Sequence, residues 1–240
     1  VRELREAAAH AFVADLDVPA LSADDRHHLE RVLRLRPGED VTVCDGAGRW
    51  RRCRFGDALE PTGEIHESGH QTPPVTIAIA LTKGERLDWA VQKLTELGVD
   101  RIVPFAAARS VVRWDAGRAA HHVERLRRIA REAAMQSRRT WLPSVDDLAS
   151  FAEVAGTAGA TLAEPGGEPP SLARTVVLVG PEGGWAGDEA TGTLPRVGLG
   201  PTVLRTETAA VAAATLLCGL RQGLVGPPGA PADRRPGAPR

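Results

Sequence analysis

From residue 75 onward the chain alternates short apolar runs with amphipathic stretches. That alternation restricts the possible folds more than any other feature. Val75-Thr-Ile-Ala-Ile-Ala-Leu81 is apolar at nearly every position. A strand with one wet face alternates apolar and polar residues, so this run predicts a strand covered on both faces. Arg86 to Leu97 follows, with Leu87, Val91 and Leu94 on one helical face and Gly98 as its stop. Arg101 to Phe105 predicts the next strand. Arg118 to Arg139 predicts a long helix with Val123, Leu126, Ala130, Ala133 and Ser137 inward and its arginines outward. Ala160–Ala163, Thr175–Val179 and Arg196–Leu199 add three strands. Glu207 to Leu220 predicts a helix that is apolar nearly all round and therefore buried. Such strand–helix alternation implies an α/β domain with a mainly parallel sheet.

The first seventy residues read differently. Ser22 to Leu35 predicts a short helix, with Ser22 as N-cap, Asp24 and Asp25 in the first turn, and Pro37-Gly38 as its stop. Asp40 to Asp45 and Arg49 to Phe55 alternate around Gly46-Ala-Gly48, which predicts a hairpin. A compact barrel-like module fits, with Arg49, Arg51 and Arg54 among its exposed positions. Gln71-Thr-Pro-Pro74 reads as a linker. The expected organisation is a β-rich module over residues 1–72, an α/β domain over 73–225, and a disordered Pro/Gly-rich tail over 226–240.

Composition excludes several classes. No apolar run approaches the roughly 20 residues that span a bilayer. The first residues lack the apolar core of a secretory signal, so a cytoplasmic location is expected. Cys44, Cys53 and Cys218 are odd in number and have no C-x-x-C spacing, which favours inert buried thiols over a disulfide framework or zinc site. His66-Glu-Ser-Gly-His70 matches the H-E-x-x-H zinc pattern, but that pattern works only on a helix. Gly69 and Pro73-Pro74 argue against a helix there, so no metal is expected. The formal net charge is −1, yet eight arginines face four acids over residues 26–54, and seven face two over residues 118–139. Clustered arginine on a near-neutral chain points to local anion contacts.

Two late stretches carry the candidate chemistry. Leu178-Val-Gly-Pro-Glu-Gly-Gly-Trp185 and Gly198-Leu-Gly-Pro-Thr-Val-Leu-Arg-Thr-Glu-Thr-Ala209 each leave a strand through a Gly/Pro turn. Glycine lets a backbone approach a ligand closely, and ligands of open α/β sheets sit at the strand ends. Neither stretch has dinucleotide-fold or P-loop spacing. The polar side chains there are Glu182, Arg205, Thr206 and Glu207. Thr206 or Thr208 also suits a helix N-cap. Lys83 and Lys93 read either as substrate contacts or, for Lys93, as part of a solvated helix face. Arg138 and Arg139 read either as phosphate contacts or as a basic helix end.

The combination resembles the RsmE family of 16S rRNA (uracil-N3)-methyltransferases, within the SPOUT superfamily. The resemblance rests on Lys83-Gly84, Arg86, Gln92-Lys93, Glu96-Leu-Gly-Val99, Gln136-Ser137, the G-P-E-G-G loop and L-G-x-x-x-L-R-x-E-T-A, in that order. His27 to Gly38 and Asp45-Gly46 are similar to that family's PUA-like RNA-binding barrel. Residues Val1 to Ala9 depart from the family's usual short start.

The resemblance implies a SPOUT α/β domain with a deep trefoil knot, S-adenosyl-L-methionine as cofactor, a homodimer with the pocket at its interface, and one uridine of 16S rRNA in the small ribosomal subunit as target. It implies cofactor contacts from Leu178, Gly180, Pro181, Glu182, Gly183 and Gly184. Further contacts are implied for Leu199, Gly200, Val203, Leu204 and Arg205. Arg205 would steady negative charge on the uracil, and Glu207 or Glu182 would take its proton. RNA would meet Arg34, Arg49, Arg51, Arg54, Lys83, Lys93, Arg138 and Arg139. Two other readings remain open at this point: a SPOUT ribose 2′-O-methyltransferase, and a non-catalytic ribosome-binding factor.

Overall fold

A computed structural model of the chain describes residues 2–190 and 192–226. The tail expected to be disordered lies almost wholly outside the described residues. Helix α1 (Arg2–Glu6) leads into a five-stranded sheet of β1 (Ala9–Phe12), β2 (Asp40–Cys44), β3 (Arg49–Arg54), β4 (Glu60–Pro61) and β5 (His66–Glu67). The strands run in the order β1-β2-β3-β4, with β5 also pairing β3. The hairpin forms as expected, with Asp40 opposite Arg54 and Cys44 opposite Trp50. Strand β1, which the sequence did not announce, adds in parallel to β2. The helix expected over Ser22–Leu35 is shorter: α2 (Ala23–His27), capped by Ser22, passes into a π-helical turn over His28–Val32.

The second sheet has seven strands, all in parallel pairings. Their order is β12 (Arg196–Val197), β10 (Ala160–Glu168), β11 (Val176–Val179), β6 (Thr76–Ala80), β7 (Arg101–Ala106) and β8 (Ser144–Val145), with β9 (Ala149–Ser150) also on β7. Central strand β6 is buried along its whole length, as its apolar run required. Val75, Ile77, Ile79 and Leu81 pack on one face with α3 (Arg86–Leu97), α4 (Ala116–Gln136) and α7 (Thr206–Arg221). Ala78 and Ala80 face the other way, toward α5 (Phe151–Ala155), Phe105 and Leu178. Because both faces of β6 meet apolar layers, a one-residue slip would expose no apolar face, so its register is held by side-chain volume and by its two neighbours.

The modules are packed against each other. Leu4, Ala11, Phe12, Cys44 and Trp50 share a buried cluster with Ala134 and Met135 of α4. Arg131 crosses the junction to Asp25 at 2.6 and 2.8 Å and donates to the Phe12 carbonyl. Beside it, buried His10 meets the Thr42 hydroxyl at 2.8 Å and the Arg139 carbonyl at 3.1 Å. A carbonyl only accepts, so Nε2 carries the proton toward Arg139 and Nδ1 accepts from Thr42. Burial pushes the His10 pKa from 6.5 down to about 4, partly opposed by the Arg139 carbonyl. The folded value is the lower one, so the unfolded chain takes up a proton first. Stability is therefore full above the unfolded value of 6.5 and falls as pH drops toward 4, by roughly 3 kcal/mol in all. Urea unfolding of the parent and of His10→Gln over pH 4–7.5 checks this: the parent's stability is expected to slope with pH and the variant's to slope less.

All three cysteines are buried and unpaired. Burial raises Cys44 to about 12 and Cys53 to about 11, so both stay inert thiols at neutral pH.

Candidate functional site

In a parallel sheet every strand delivers its chain to the same edge. The turns leaving β6, β7, β11 and β12 therefore gather at one end, and the two glycine stretches are two of these turns. One hydrogen bond joins them: the Thr206 hydroxyl donates to the Gly180 carbonyl at 2.9 Å. Thr206 is not the N-cap of α7. Arg205 occupies that position with an extended backbone and no side-chain cap. The buried hydroxyl is used across the site instead of along its own helix.

The first loop is a tight turn. Gly184 N–H donates to the Pro181 carbonyl at 2.9 Å, and Gly184 has φ +69°, a left-handed backbone that suits glycine. A Cβ on Gly180 would stand 3.0 Å from the Trp185 indole, and one on Gly183 3.1 Å from Arg109 Cβ. Trp185 in turn stacks on Phe105 and donates to the Ala163 carbonyl, wedging the loop against the sheet. Buried Glu189 of α6 (Gly187–Ala190) ties this loop to the turn after β7, accepting from Ala108 N at 2.7 Å and Ala186 N at 3.0 Å. By contrast, a Cβ on Gly184 or Gly200 would meet open space. The loops thus present rigid peptide groups along an open shelf.

Side chains at the shelf fall into three states. Arg205 is exposed and has no hydrogen bond or ion pair from its side chain among the described residues. Glu182, half exposed, accepts from Arg86 Nη1 at 2.8 Å. Glu207 is mostly buried, its Oε1 3.8 Å from Arg86 Nε and its Oε2 without a hydrogen-bond partner. Two residues at the same edge escaped the sequence reading. Arg86 was visible only as part of a motif. Thr82, two residues past β6, is 6% exposed and its hydroxyl also lacks a partner among the described residues. A buried hydroxyl with no bond stabilises nothing, so Thr82→Val is expected to leave the melting temperature unchanged or raise it. A drop of several degrees in a thermal melt would expose a partner for that hydroxyl.

Leu178 lies inside the ladder between Leu162 and Ala78 with a fully buried side chain, so it supports the loop from within the sheet. Leu199 and Leu204 are half-buried, whereas Gly200 and Val203 are exposed, Val203 by 90%.

The expected RNA contacts divide as well. Arg34, Arg49, Arg54 and Lys83 are exposed. Arg51 is not free: it donates to the carbonyls of Leu16 and Gly63. Lys93 pairs with Glu96 at 2.8 Å on its own helix. Arg138 reaches the Ala8 carbonyl. Arg139 donates to the carbonyls of Thr95 and Val99 at 2.9 and 2.8 Å, and burial pushes its guanidinium below the usual value. The outward arginines of α4 are also partly claimed, Arg125 by Asp88, Arg127 by Glu124 and Asp147, and Arg131 by Asp25. Charge counted along the sequence overstated the free charge because short helix spacing and module contacts supply local acids.

A groove of about 1750 Å³ runs between the modules, lined among others by His28, Trp89, Gln92, Arg125 and Arg128. The glycine loops line neither this groove nor the cavity of about 620 Å³ around Thr76, Arg101 and Val176, where their strands begin. The H-E-x-x-H segment lies on and after β5. Its imidazoles diverge, His66 stacking on Trp50 and His70 meeting Trp141 edge-on.

Known proteins match this arrangement. Residues 70–218 fit the model of an RNA methyltransferase domain, and residues 21–59 that of an RNA methyltransferase PUA domain. The ribosomal RNA small subunit methyltransferase E of Mycobacterium bovis is 35% identical, over 82% of this chain and 84% of its own. Its namesake from Bacillus subtilis is 32% identical, over 79% and 85%. A crystal structure of the Neisseria gonorrhoeae ribosomal RNA small subunit methyltransferase E, bound to S-adenosyl methionine, superposes with a TM-score of 0.74. It is 27% identical, covering 88% of this chain and 97% of that one.

Proposed function

The chain belongs to the ribosomal RNA small subunit methyltransferase E family, and on that basis we propose that it transfers a methyl group from S-adenosylmethionine to N3 of one uridine in 16S rRNA. The observation that carries this reading is the Thr206–Gly180 hydrogen bond, which makes one shelf of the two glycine loops beside an unengaged Arg205. The shelf fits the cofactor: open peptide groups at Gly184 and Gly200 suit an adenosine, and the space beside them is what a side chain would fill. Peptide groups of Pro181 to Gly184 and Leu199 to Leu204 hold the cofactor. When bound, it supplies an electrophilic methyl group on a cationic sulfur.

The rest of the reaction falls to the chain's own residues. Uracil N3–H is a poor nucleophile until it loses its proton. Of the two carboxylates, Glu207 suits the base role, because its Oε2 is buried and unclaimed while Glu182 is held by Arg86. The proton passes from N3 to Glu207 Oε2, and the N3 lone pair is left to attack. Arg205 faces the negative charge that spreads to the uracil oxygens.

Phosphates on either side meet the exposed Arg34, Arg49, Arg54 and Lys83, and the groove with Arg128 gives the strand a path between the modules. The first sheet serves as a PUA-like barrel over residues 1–72, and residues 73–225 form the SPOUT domain with its trefoil knot. The knot reading is supported by the order β12-β10-β11-β6, which sends the chain across the sheet before α7 returns beneath β6. A homodimer covers the shelf, an arrangement supported by Val203 and Val111, 90% and 70% exposed on the turns around it. Among the described residues no helix is long and apolar enough to cross a membrane, and the cytoplasm, where ribosomal RNA is handled, is the proposed location.

The test is methylation of purified small ribosomal subunits with isotope-labelled cofactor, followed by nucleoside mass spectrometry and mapping. Label in 3-methyluridine supports the reading; label in a 2′-O-methylated nucleoside, or none, rejects it.

A further inference from the structure

Arg86 touches both carboxylates of the shelf from a third element. It is the first residue of α3, on the turn leaving β6, whereas Glu182 lies after β11 and Glu207 opens α7. The 2.8 Å contact with Glu182 is a charge-assisted hydrogen bond, and the 3.8 Å approach to Glu207 Oε1 is an ion pair without one. A surface pair such as Arg86–Glu182 on its own contributes little to stability. That bland role leaves unexplained why Glu207, 13% exposed in its side chain, keeps one oxygen buried with no donor while a guanidinium stands beside it. Such an oxygen is costly unless a ligand completes it.

We propose that Arg86 is a positioning residue that makes the two carboxylates unequal. It hydrogen-bonds Glu182 through Oε1 but only approaches Glu207 Oε1 at 3.8 Å, so that the buried Oε2 of Glu207 is left for the proton of the substrate base. The inference rests on the reading of Glu207 as base. A planar guanidinium spans two carboxylates from different elements; the compact ammonium of lysine does not.

Single-turnover methyl transfer to small subunits, cofactor affinity by calorimetry and thermal melting test it on the full chain. Arg86→Ala is expected to slow transfer by about tenfold or more, with cofactor affinity changed by less than about threefold. Arg86→Lys is expected to recover part of the rate and Arg86→Gln none. In a Glu207→Gln background, Arg86→Ala is expected to add less than about twofold, because the group it acts through is already gone. Full additivity of the two losses, an unaltered rate in Arg86→Ala, or equal rates in Arg86→Gln and Arg86→Lys each overturns the positioning role. Should Arg86→Ala unfold, the Lys and Gln variants carry the comparison. An unaltered rate in Glu207→Gln alone is a separate failure and removes the base assignment beneath it.

Discussion

Arg205→Ala is expected to slow methyl transfer by about 100- to 1000-fold, the loss typical of removing one preorganised charge-stabilising donor. Cofactor affinity should stay within about threefold, since the shelf is built from peptide groups that the substitution leaves alone. The fold should not register the change. Arg205 is exposed, caps α7 with its backbone only, and makes no side-chain hydrogen bond or ion pair among the described residues. Glu207 faces Arg86 at 3.8 Å, and Arg205 makes no side-chain ion pair among the described residues, so its charge stays available. Arg205→Lys should fall between, retaining charge without the planar fork. Single-turnover assays with labelled cofactor, alongside calorimetry, check this. Cofactor binding lost with the single-turnover rate intact would remove Arg205 from the chemistry.

The largest loss of stability is expected at the other end of the same helix. Arg221 closes α7 with a side chain 2% exposed. It donates to Asp100 at 2.5 Å, to the Gly98 carbonyl at 2.7 Å and to the Pro73 carbonyl at 3.2 Å. Asp100 also accepts from Val75 N–H at 2.8 Å at the head of the central strand. One ion pair therefore fastens the linker, the end of α3 and the end of α7 to the start of β6. Arg221→Met takes the guanidinium from buried Asp100 and leaves it only the Val75 N–H and the His70 imidazole 3.5 Å away, which costs about 3–5 kcal/mol. For a chain of this size that lowers the melting temperature by on the order of 10 °C. Adding Asp100→Leu should recover only part, because the hydrogen bond to Val75 N–H is lost with the carboxylate. Calorimetric melting of the three proteins measures both effects. A single variant that melts with the parent would show that the pair contributes nothing net.

Much of the fold was legible because periodicity records burial. The helix expected at Arg86–Leu97 is found there, with Gly98 at φ +97° ending it, and each of the predicted strands of the parallel sheet appears within a few residues. What the sequence concealed was made of short pieces. Strand β1 has four residues and exists only because β2 offers it an edge. The helix read through Leu35 narrows into a π-helical turn, and nothing in the spacing of His28 to Val32 marks that change. The candidate site was half legible. Glycine pairs and Arg205 stand out along the chain, but the state of each carboxylate depends on Arg86, which is 96 residues from Glu182. Thr82 carries no mark in the chain, and only its burial leaves its hydroxyl without a partner among the described residues.

The sequence alone determined the parallel sheet and the β2–β3 hairpin, because apolar period and glycine placement act locally and need no knowledge of neighbours. Tertiary structure alone decided which charges are free. Arg51, Arg131 and Arg139 look like Arg49 and Arg205 in the chain, yet the first three are spent on carbonyls and Asp25, and the last two remain open to solvent. A guanidinium's role is set by acceptors within about 3 Å, and those acceptors come from segments that only folding brings together.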